Sequence, residues 1–541
     1  MRLFYLLTLS LILPCICLAQ TISNYDTCRT PLYFQRIGDG LRDMTMIKAR
    51  TVKDQGIISA GNTSQAGFVQ AQLSKQGMNG ELLWIKNYGG PVEDERITDW
   101  RELTNGDLVV AGTTRSKITL LSNFFLMRLA ANGDKIWQKI YYDITPFHNI
   151  HNAKIFPDYE GNYFFAAQGD STIIYGSIAN TGEVLLQRTI RVGPGTKLMA
   201  ALSVASNWMV ATSSVEAGYQ VASFYHMNRL FTGTDVRWSY KFGGPAQNSS
   251  FILHDYEQYG QYSYFTGLRS VAGGPWELVR LNMNQANFPE ALEKIGTPGI
   301  VLDSLSRTVS NLYGDVVSFT EGRKNNKLHA VQLAGSNFYP SAVNWSKSFQ
   351  FPDSIVLAGT AKTWDAGYNF MGLKELPGNN KQLLQLKTDS SANPPTCIQS
   401  TRRNFSVERL VLPNEPAAFT YNNQHSLAGD DGYNLVTSSA NIDTLVLCRQ
   451  IKCPEVPLTD SCLESFQKLY RSYNPGSLSA GMQIINGRIF MAGASMSMDY
   501  ATESQNSFIT EINKNGQVLT RRISSLAPAA FPACLKPMTA A

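Results

Sequence analysis

The stretch Asn105–Lys139 decides the fold: N-G-D-L-V-V-A-G-T-T-R-S, a polar loop, F-F-L-M-R-L, then A-A-N-G-D-K-I-W-Q-K. Asn105-Gly106 predicts a tight strand reversal, because Asn and Gly accept the positive φ that such turns require. Leu108–Ala111 and Phe124–Leu129 are short aliphatic and aromatic runs, as expected of strands covered on both faces. Asn132-Gly133-Asp134 makes a second turn, and Ile136-Trp137 opens a further strand.

The same grammar recurs along the chain. A turn followed by an apolar run appears as K-D-Q-G-I-I-S-A-G-N-T (53–63), T-N-G-D-L-V-V-A-G-T-T (104–114) and Y-E-G-N-Y-F-F-A-A-Q (159–168). It returns as A-S-N-W-M-V-A-T-S-S (205–214), Q-Y-G-Q-Y-S-Y-F-T-G (258–267), L-Y-G-D-V-V-S-F-T-E-G (312–322) and W-D-A-G-Y-N-F-M-G-L (364–373). A second element follows it: a turn and an outer strand with Trp84, Trp137, Trp238 or Trp345. Glycine-rich joints, N-Y-G-G-P (87–91) and K-F-G-G-P (241–245), separate the units. Gly61 to Gly112 spans 51 residues, the size of a four-stranded propeller blade.

Seven copies, read as the inner strands, predict an all-β fold: a β-propeller of seven four-stranded blades over residues 32–388. Phe34–Ile37 is expected to complete the last blade and close the ring, since an open ring leaves sheet edges free to pair with other chains. Eight blades is the alternative, because H-S-L-A-G-D-D-G-Y-N-L-V-T-S-S (425–439) reads similarly. Residues 389–452 read as a β annex after the ring, and the Pro-rich, polar stretch 453–464 as a linker. In 465–541 the grammar restarts, with N-G-R-I-F-M-A-G-A-S (486–495) and N-K-N-G-Q-V-L-T-R-R (513–522). That is one blade of a second, incomplete propeller. A single blade cannot bury both its faces, so the sequence is expected to be the front of a longer protein.

Composition narrows the function classes. Charged residues make up 16% of the chain, against a usual ~25%, and the net charge of +5 is spread without runs. A nucleic-acid footprint needs clustered Lys and Arg, so no nucleic-acid partner is expected. Met1–Ala19 carries Arg2, an apolar run to Leu13 and Cys17-Leu18-Ala19, which predicts a secretory signal peptide cleaved near Ala19. Residues 20–31 then form an N-terminal segment. No later stretch is long and apolar enough for a transmembrane helix. The protein is expected to be secreted or held at a bacterial cell surface. Six cysteines remain after cleavage: Cys28, Cys397, Cys448, Cys453, Cys462 and Cys534. An even number in an exported chain predicts disulfides. Their connectivity stays open, with Cys397–Cys448 a candidate pair because the two flank one segment.

The pattern W-x-K-x-Y-G-G…N-G-D-x-V-V-A-G-T…N-G-x-x-x-W-x-K resembles the seven-bladed β-propeller repeats of large secreted surface proteins from Bacteroidota-type bacteria. The resemblance covers residues 32–388 and, less fully, 465–522. It implies an exported, modular, adhesion-type protein, in a group whose members often carry a type IX secretion signal at the far C-terminus.

Chemistry is sparse by comparison. His148 and His151 are spaced for a helix but fall in a segment that reads as loop or strand, so no metal is expected there. The recurrent Trp row fits packing between blades better than sugar stacking. Trp276 in G-G-P-W and Trp364 in T-W-D-A-G lie out of phase near turns and are the candidate ligand-binding residues. No catalytic set and no cofactor site is legible. The reading is a non-catalytic binding module presenting propeller loops to a glycan or protein partner. The alternative is a propeller enzyme, either glycan-active or a quinone-dependent dehydrogenase. The latter needs Arg, Lys, Asp and Glu side chains gathered at the ring's centre, and fold alone does not choose between these classes.

Overall fold

In the computed structural model the described residues are most of 32–450, apart from short intervening intervals, and the backbone of four strands between 478 and 524. Residues 1–19, expected to be a signal peptide, residues 20–31, residues 453–464, expected to be a linker, Cys28, Cys453, Cys462, Cys534, His148 and Trp364 lie outside them. No helix occurs among the described residues.

β1 (Leu32–Ile37) precedes five four-stranded antiparallel sheets. Sheet I holds β2 (Met44–Thr51), β3 (Ile57–Gln65), β4 (Phe68–Gln76) and β5 (Leu82–Gly89). Sheet II holds β6 (Glu93–Glu102), β7 (Leu108–Ser116), β8 (Ser122–Leu129) and β9 (Lys135–Asp143). Sheet III is β10 (Asn152–Pro157), β11 (Tyr163–Gln168), β12 (Thr172–Ile178) and β13 (Val184–Arg191). Sheet IV is β14 (Lys197–Val204), β15 (Asn207–Glu216), β16 (Tyr219–Asn228) and β17 (Val236–Phe242). Sheet V is β18 (Ser249–Tyr259), β19 (Tyr262–Val271), β20 (Glu277–Met283) and β21 (Pro289–Gly296). Group VI then uses β22 (Thr308–Ser310), β23 (Val316–Thr320), β24 (Asn325–Ala334) and the first half of β25 (Ala342–Lys362). Group VII uses the second half of β25, β26 (Tyr368–Glu375), β27 (Lys381–Thr388) and β1. β1 runs antiparallel to β27 from Tyr33↔Lys387 to Ile37↔Leu383, so the chain's first strand completes its last sheet, as expected. The architecture is that of a β-propeller.

Why these strands read as unbroken apolar runs follows from what lies on either side of them. Leu108 and Val110 of β7 join a core shared with sheet I, while Val109 and Ala111 join a core shared with sheet III. Successive residues of a strand point to opposite faces, and here both faces are dry. Phe125 and Met127 against Phe124 and Leu126 in β8 repeat the division. Each side chain of this size buried so contributes roughly 1.5–3 kcal/mol.

The turns also do what the sequence asks. Gly106 and Gly133 sit at φ 87° and 79°, and Gly133 serves a second purpose. Its carbonyl accepts a 2.6 Å hydrogen bond from the Tyr88 hydroxyl of the preceding sheet, and a Cβ there would sit 3.1 Å from the Trp84 ring. Tyr141 donates to Gly182 O in the same way at 2.5 Å. The W-x-K-x-Y outer strand is therefore a clamp on the next sheet's turn. The Trp row packs between sheets throughout: Trp137 lies 6.3 Å from Tyr163, Trp345 5.2 Å from Tyr368, and Trp238 4.6 Å from Phe288.

Two expectations need correction. The apolar runs read as inner strands are the second strand of each sheet. The innermost strands are the ones before them (β2, β6, β10, β14, β18, β22 and the second half of β25), several of which carry charge. Lys48 of β2 meets Asp255 of β18, and Lys154 of β10 meets Thr98 of β6. Secondly, residues 389–450 do not pack on themselves as an annex. They form a strap running backwards along the outer edges of the sheets. β28 (Gln399–Arg402) pairs with β25, β29 (Ser406–Leu410) with β21, and β30 (Thr420–Tyr421) with β13. β31 (Leu427–Asp430) pairs with β9, β32 (Val436–Ser439) with β5, and β33 (Thr444–Gln450) with β1. At sheet IV the contact is Lys241 N–H to Glu415 O, 2.8 Å, with an ion pair between their side chains. The stretch that suggested an eighth blade supplies β31 and β32.

The strap strands are mostly exposed, yet an apolar strap residue enters most of the grooves between sheets. Leu435 seats between I and II, Leu427 between II and III, Ala417 between III and IV, Phe405 between V and VI, and Ile398 between VI and VII. A row of unpaired edge strands invites association with other chains, and the strap occupies those edges. Cys397 at its start and Cys448 near its end are joined by a disulfide, 51 residues apart. The strands β34 (Leu478–Ile485), β35 (Arg488–Asp499), β36 (Thr502–Ile512) and β37 (Val518–Ser524) form a separate four-stranded antiparallel sheet, in a second compact unit.

Candidate functional site

The first strands of sheets I, II and V place charged residues at alternating positions: Lys48 and Arg50 on β2, Asp99 and Arg101 on β6, Asp255 and Glu257 on β18. The i, i+2 spacing sets each pair on one face of its strand, and these faces meet. Lys48 Nζ lies 2.8 Å from Asp255 Oδ1 and 2.7 Å from Glu257 Oε1. Arg50 Nε sits 3.3 Å from both Glu257 oxygens, and its Nη1 donates to Trp100 O at 2.5 Å. Tyr256, between the two acids, turns to the other side of β18. Its hydroxyl accepts from Arg101 Nη2 and donates to Asp99 Oδ2, both at 2.8 Å. Arg101 is 2% exposed and Glu257 2%, so this is a buried ion network and not a solvated face.

Burial perturbs the network's titration. It pushes the Glu257 carboxyl up from the ordinary glutamate value, against the pull of Arg50 and Lys48. It raises the Tyr256 phenol well above 10.0, helped by the charge of Asp99. The Lys154 amine, which donates to Thr98 O at 2.7 Å, is drawn below the lysine range by the same desolvation. Low-dielectric surroundings disfavour every charge, and a charge persists there only where a partner compensates it.

β2, β18, β22 and the second half of β25 leave a cavity of about 270 Å³ between them. Its wall includes Lys48, His254, Asp255, Arg307, Thr308 and Ser310, with backbone around Ala358 and Gly359. His254 is held neutral, its pKa drawn down to about 3 by burial and by the nearby Arg307 charge. Thr308 Oγ1 lies 3.3 Å from its Nδ1. Asp255 is engaged on its other side by Ser310 N–H at 2.8 Å.

Of the two residues expected from sequence to bind ligand, Trp364 lies outside the described residues and Trp276 is not on the wall of this cavity. Trp276 is half-buried at the β19–β20 turn, against the core between sheets V and VI. His151 bonds Asp170 at 2.5 Å on the surface. What sequence reading passed over was the axial set, although T-M-I-K-A-R (45–50), T-D-W-R (98–101) and H-D-Y-E (254–257) hold the i, i+2 charges ahead of three of the repeating turns. That alternation was the available signal. A centre gathering Arg, Lys, Asp and Glu does exist, with its carboxylates held in ion pairs and hydrogen bonds.

No family model and no curated protein matches the chain. Among solved structures, Drosophila Plexin A in complex with Semaphorin 1b aligns at TM-score 0.38 and 7% identity, over 66% of this chain and 88% of that one. The Dos1 propeller aligns at 0.34 and 8%, over 65% and 94%. A protein of unknown function from Dyadobacter fermentans aligns at 0.31 and 9%, over 66% and 95%. Likeness at this level says nothing of function.

Proposed function

We propose that this chain is an exported, non-catalytic binding module: a closed seven-bladed propeller whose face loops meet a glycan or protein partner at the bacterial surface. The observation that carries the reading is the strap. It takes up the outer sheet edges, and the axis offers no more than a small cavity of about 270 Å³, so the loops on the two faces are the surfaces left for a macromolecule. The pairing of Asp99, Asp255 and Glu257 with Tyr256, Lys48, Arg50 and Ser310 supports binding over acid–base catalysis, which needs a carboxyl free to exchange its proton. The disulfide fits an oxidising compartment.

The test is a glycan-array screen of the mature chain, with Trp276→Ala and Trp364→Ala as variants. Reproducible binding lost in either variant supports a lectin-like face. A blank array with folded protein removes the glycan branch and leaves a protein partner. A melting shift with calcium or a quinone cofactor, followed by turnover, overturns the non-catalytic reading in favour of a propeller enzyme.

A further inference from the structure

We propose that the axial cavity is a binding site for a small hydroxylated monocarboxylate of the sugar-acid type, held by Arg307. The site lies at the axis, with Arg307 supplied by the margin of the β21–β22 loop, and does not depend on what the other loops bind.

Charge is the first ground. Of the ionic side chains on the wall, Lys48 and Asp255 face each other at 2.8 Å and cancel, leaving Arg307 as the surplus cation. Among the described residues its guanidinium meets no carboxylate, and the side chain is exposed. Arg307 is on the cavity wall together with His254. A planar guanidinium matches a carboxylate with two parallel hydrogen bonds. One surplus charge suits a monoanion; a phosphate dianion would leave a charge uncompensated in a partly desolvated site.

Polarity is the second ground. Thr308, Ser310 and His254 are all on the wall, with Thr308 Oγ1 3.3 Å from His254 Nδ1, Ser310 Oγ 3.4 Å from Asp255 Oδ2, and the His254 ring neutral. Hydroxyls and a neutral imidazole both donate and accept, which is what recognition of ligand OH groups requires. The remaining wall is largely apolar, from Met46, Ile47, Val309, Val356 and Leu357 with small residues between them, which suits the C–H face of a sugar ring. The volume of about 270 Å³ lies below the ~300–1,000 Å³ of drug-sized pockets and suits a single monosaccharide.

Isothermal titration of the mature chain with D-glucuronate, D-galacturonate and N-acetylneuraminate tests this, with glucose and inorganic phosphate as comparisons. At least one acid is expected to saturate the protein, with glucose at least tenfold weaker. Arg307→Gln is expected to weaken that acid tenfold or more without shifting the melting temperature, since the side chain is exposed. Arg402→Gln, a charge change on the strap, is expected to leave it unaltered. Failure of all three acids to bind overturns the proposal, as does equal binding by wild type and Arg307→Gln. Phosphate binding as tightly as the best acid overturns the carboxylate assignment.

Discussion

Removing the buckle of the strap with Cys397→Ser/Cys448→Ser tests the architecture most directly. The cross-link closes a loop of 51 residues, and in the chain-entropy account it removes about 14 cal/mol/K from the unfolded ensemble, about 4 kcal/mol at 25 °C. For a unit of roughly 400 residues, with about 2 cal/mol/K of unfolding entropy per residue, that is a fall of about 5 °C in melting temperature. The structure also says where the loss appears first. β28 and β32 bury none of their side chains, and β30 makes two register pairs, so the strap holds by short ladders and single anchors such as Leu435, 1% exposed. Without the disulfide, each ladder opens against its own small free energy and not as part of a closed loop. Amide hydrogen exchange across 399–450 is expected to accelerate before that of β7 or β11, and proteolytic nicking to fall inside the strap. A double variant that melts within 1 °C of the oxidised protein, with strap exchange unchanged, would refute the reasoning.

Three further outcomes are expected. Tyr88→Phe leaves Gly133 O without its clamp and should cost about 1 kcal/mol, whereas Gly133→Ala, at φ 79° and against Trp84, should cost about 1–3 kcal/mol; urea unfolding of the two variants reads the order. Lys48→Ala removes the cation shared by Asp255 and Glu257, leaving Glu257, 2% exposed, with Arg50 alone, and should cost about 3–5 kcal/mol, part of it recovered in Lys48→Ala/Glu257→Gln; no recovery would mean that the lysine acts by packing. His254 and His329 have folded pKa values drawn down from 6.5 to about 3 and about 4 by burial, so the unfolded chain binds the protons more tightly. Stability should therefore fall as pH drops below 6.5, by up to about 1.4 kcal/mol per pH unit per histidine, until each folded pKa is passed. His254→Asn should flatten that slope in denaturation curves taken between pH 6.5 and 4.5.

The sequence by itself determined the repeat, the all-β class and the closure through Phe34–Ile37, which lies within the observed strand Leu32–Ile37, because turn chemistry and two-sided burial are local and recur in phase. It also singled out Cys397 and Cys448 as flanking one segment. Which strand lies innermost was misread for a physical reason. Apolar runs mark strands buried on both faces, and in this ring those are the second and third strands, while three of the strands at the axis carry alternating charge. The course of 389–450 was not legible at all. β32, Val436–Ser439, has no apolar periodicity of its own, and its partner in β5 lies some 350 residues earlier in the chain, at Lys86–Gly89. Only the tertiary structure decides such pairing, since backbone hydrogen bonds to a free edge carry almost no side-chain signature. The same holds for the axial cavity: Arg307, His254 and Lys48 come from three strands or their margins, far apart in sequence, and their meeting is a property of the ring.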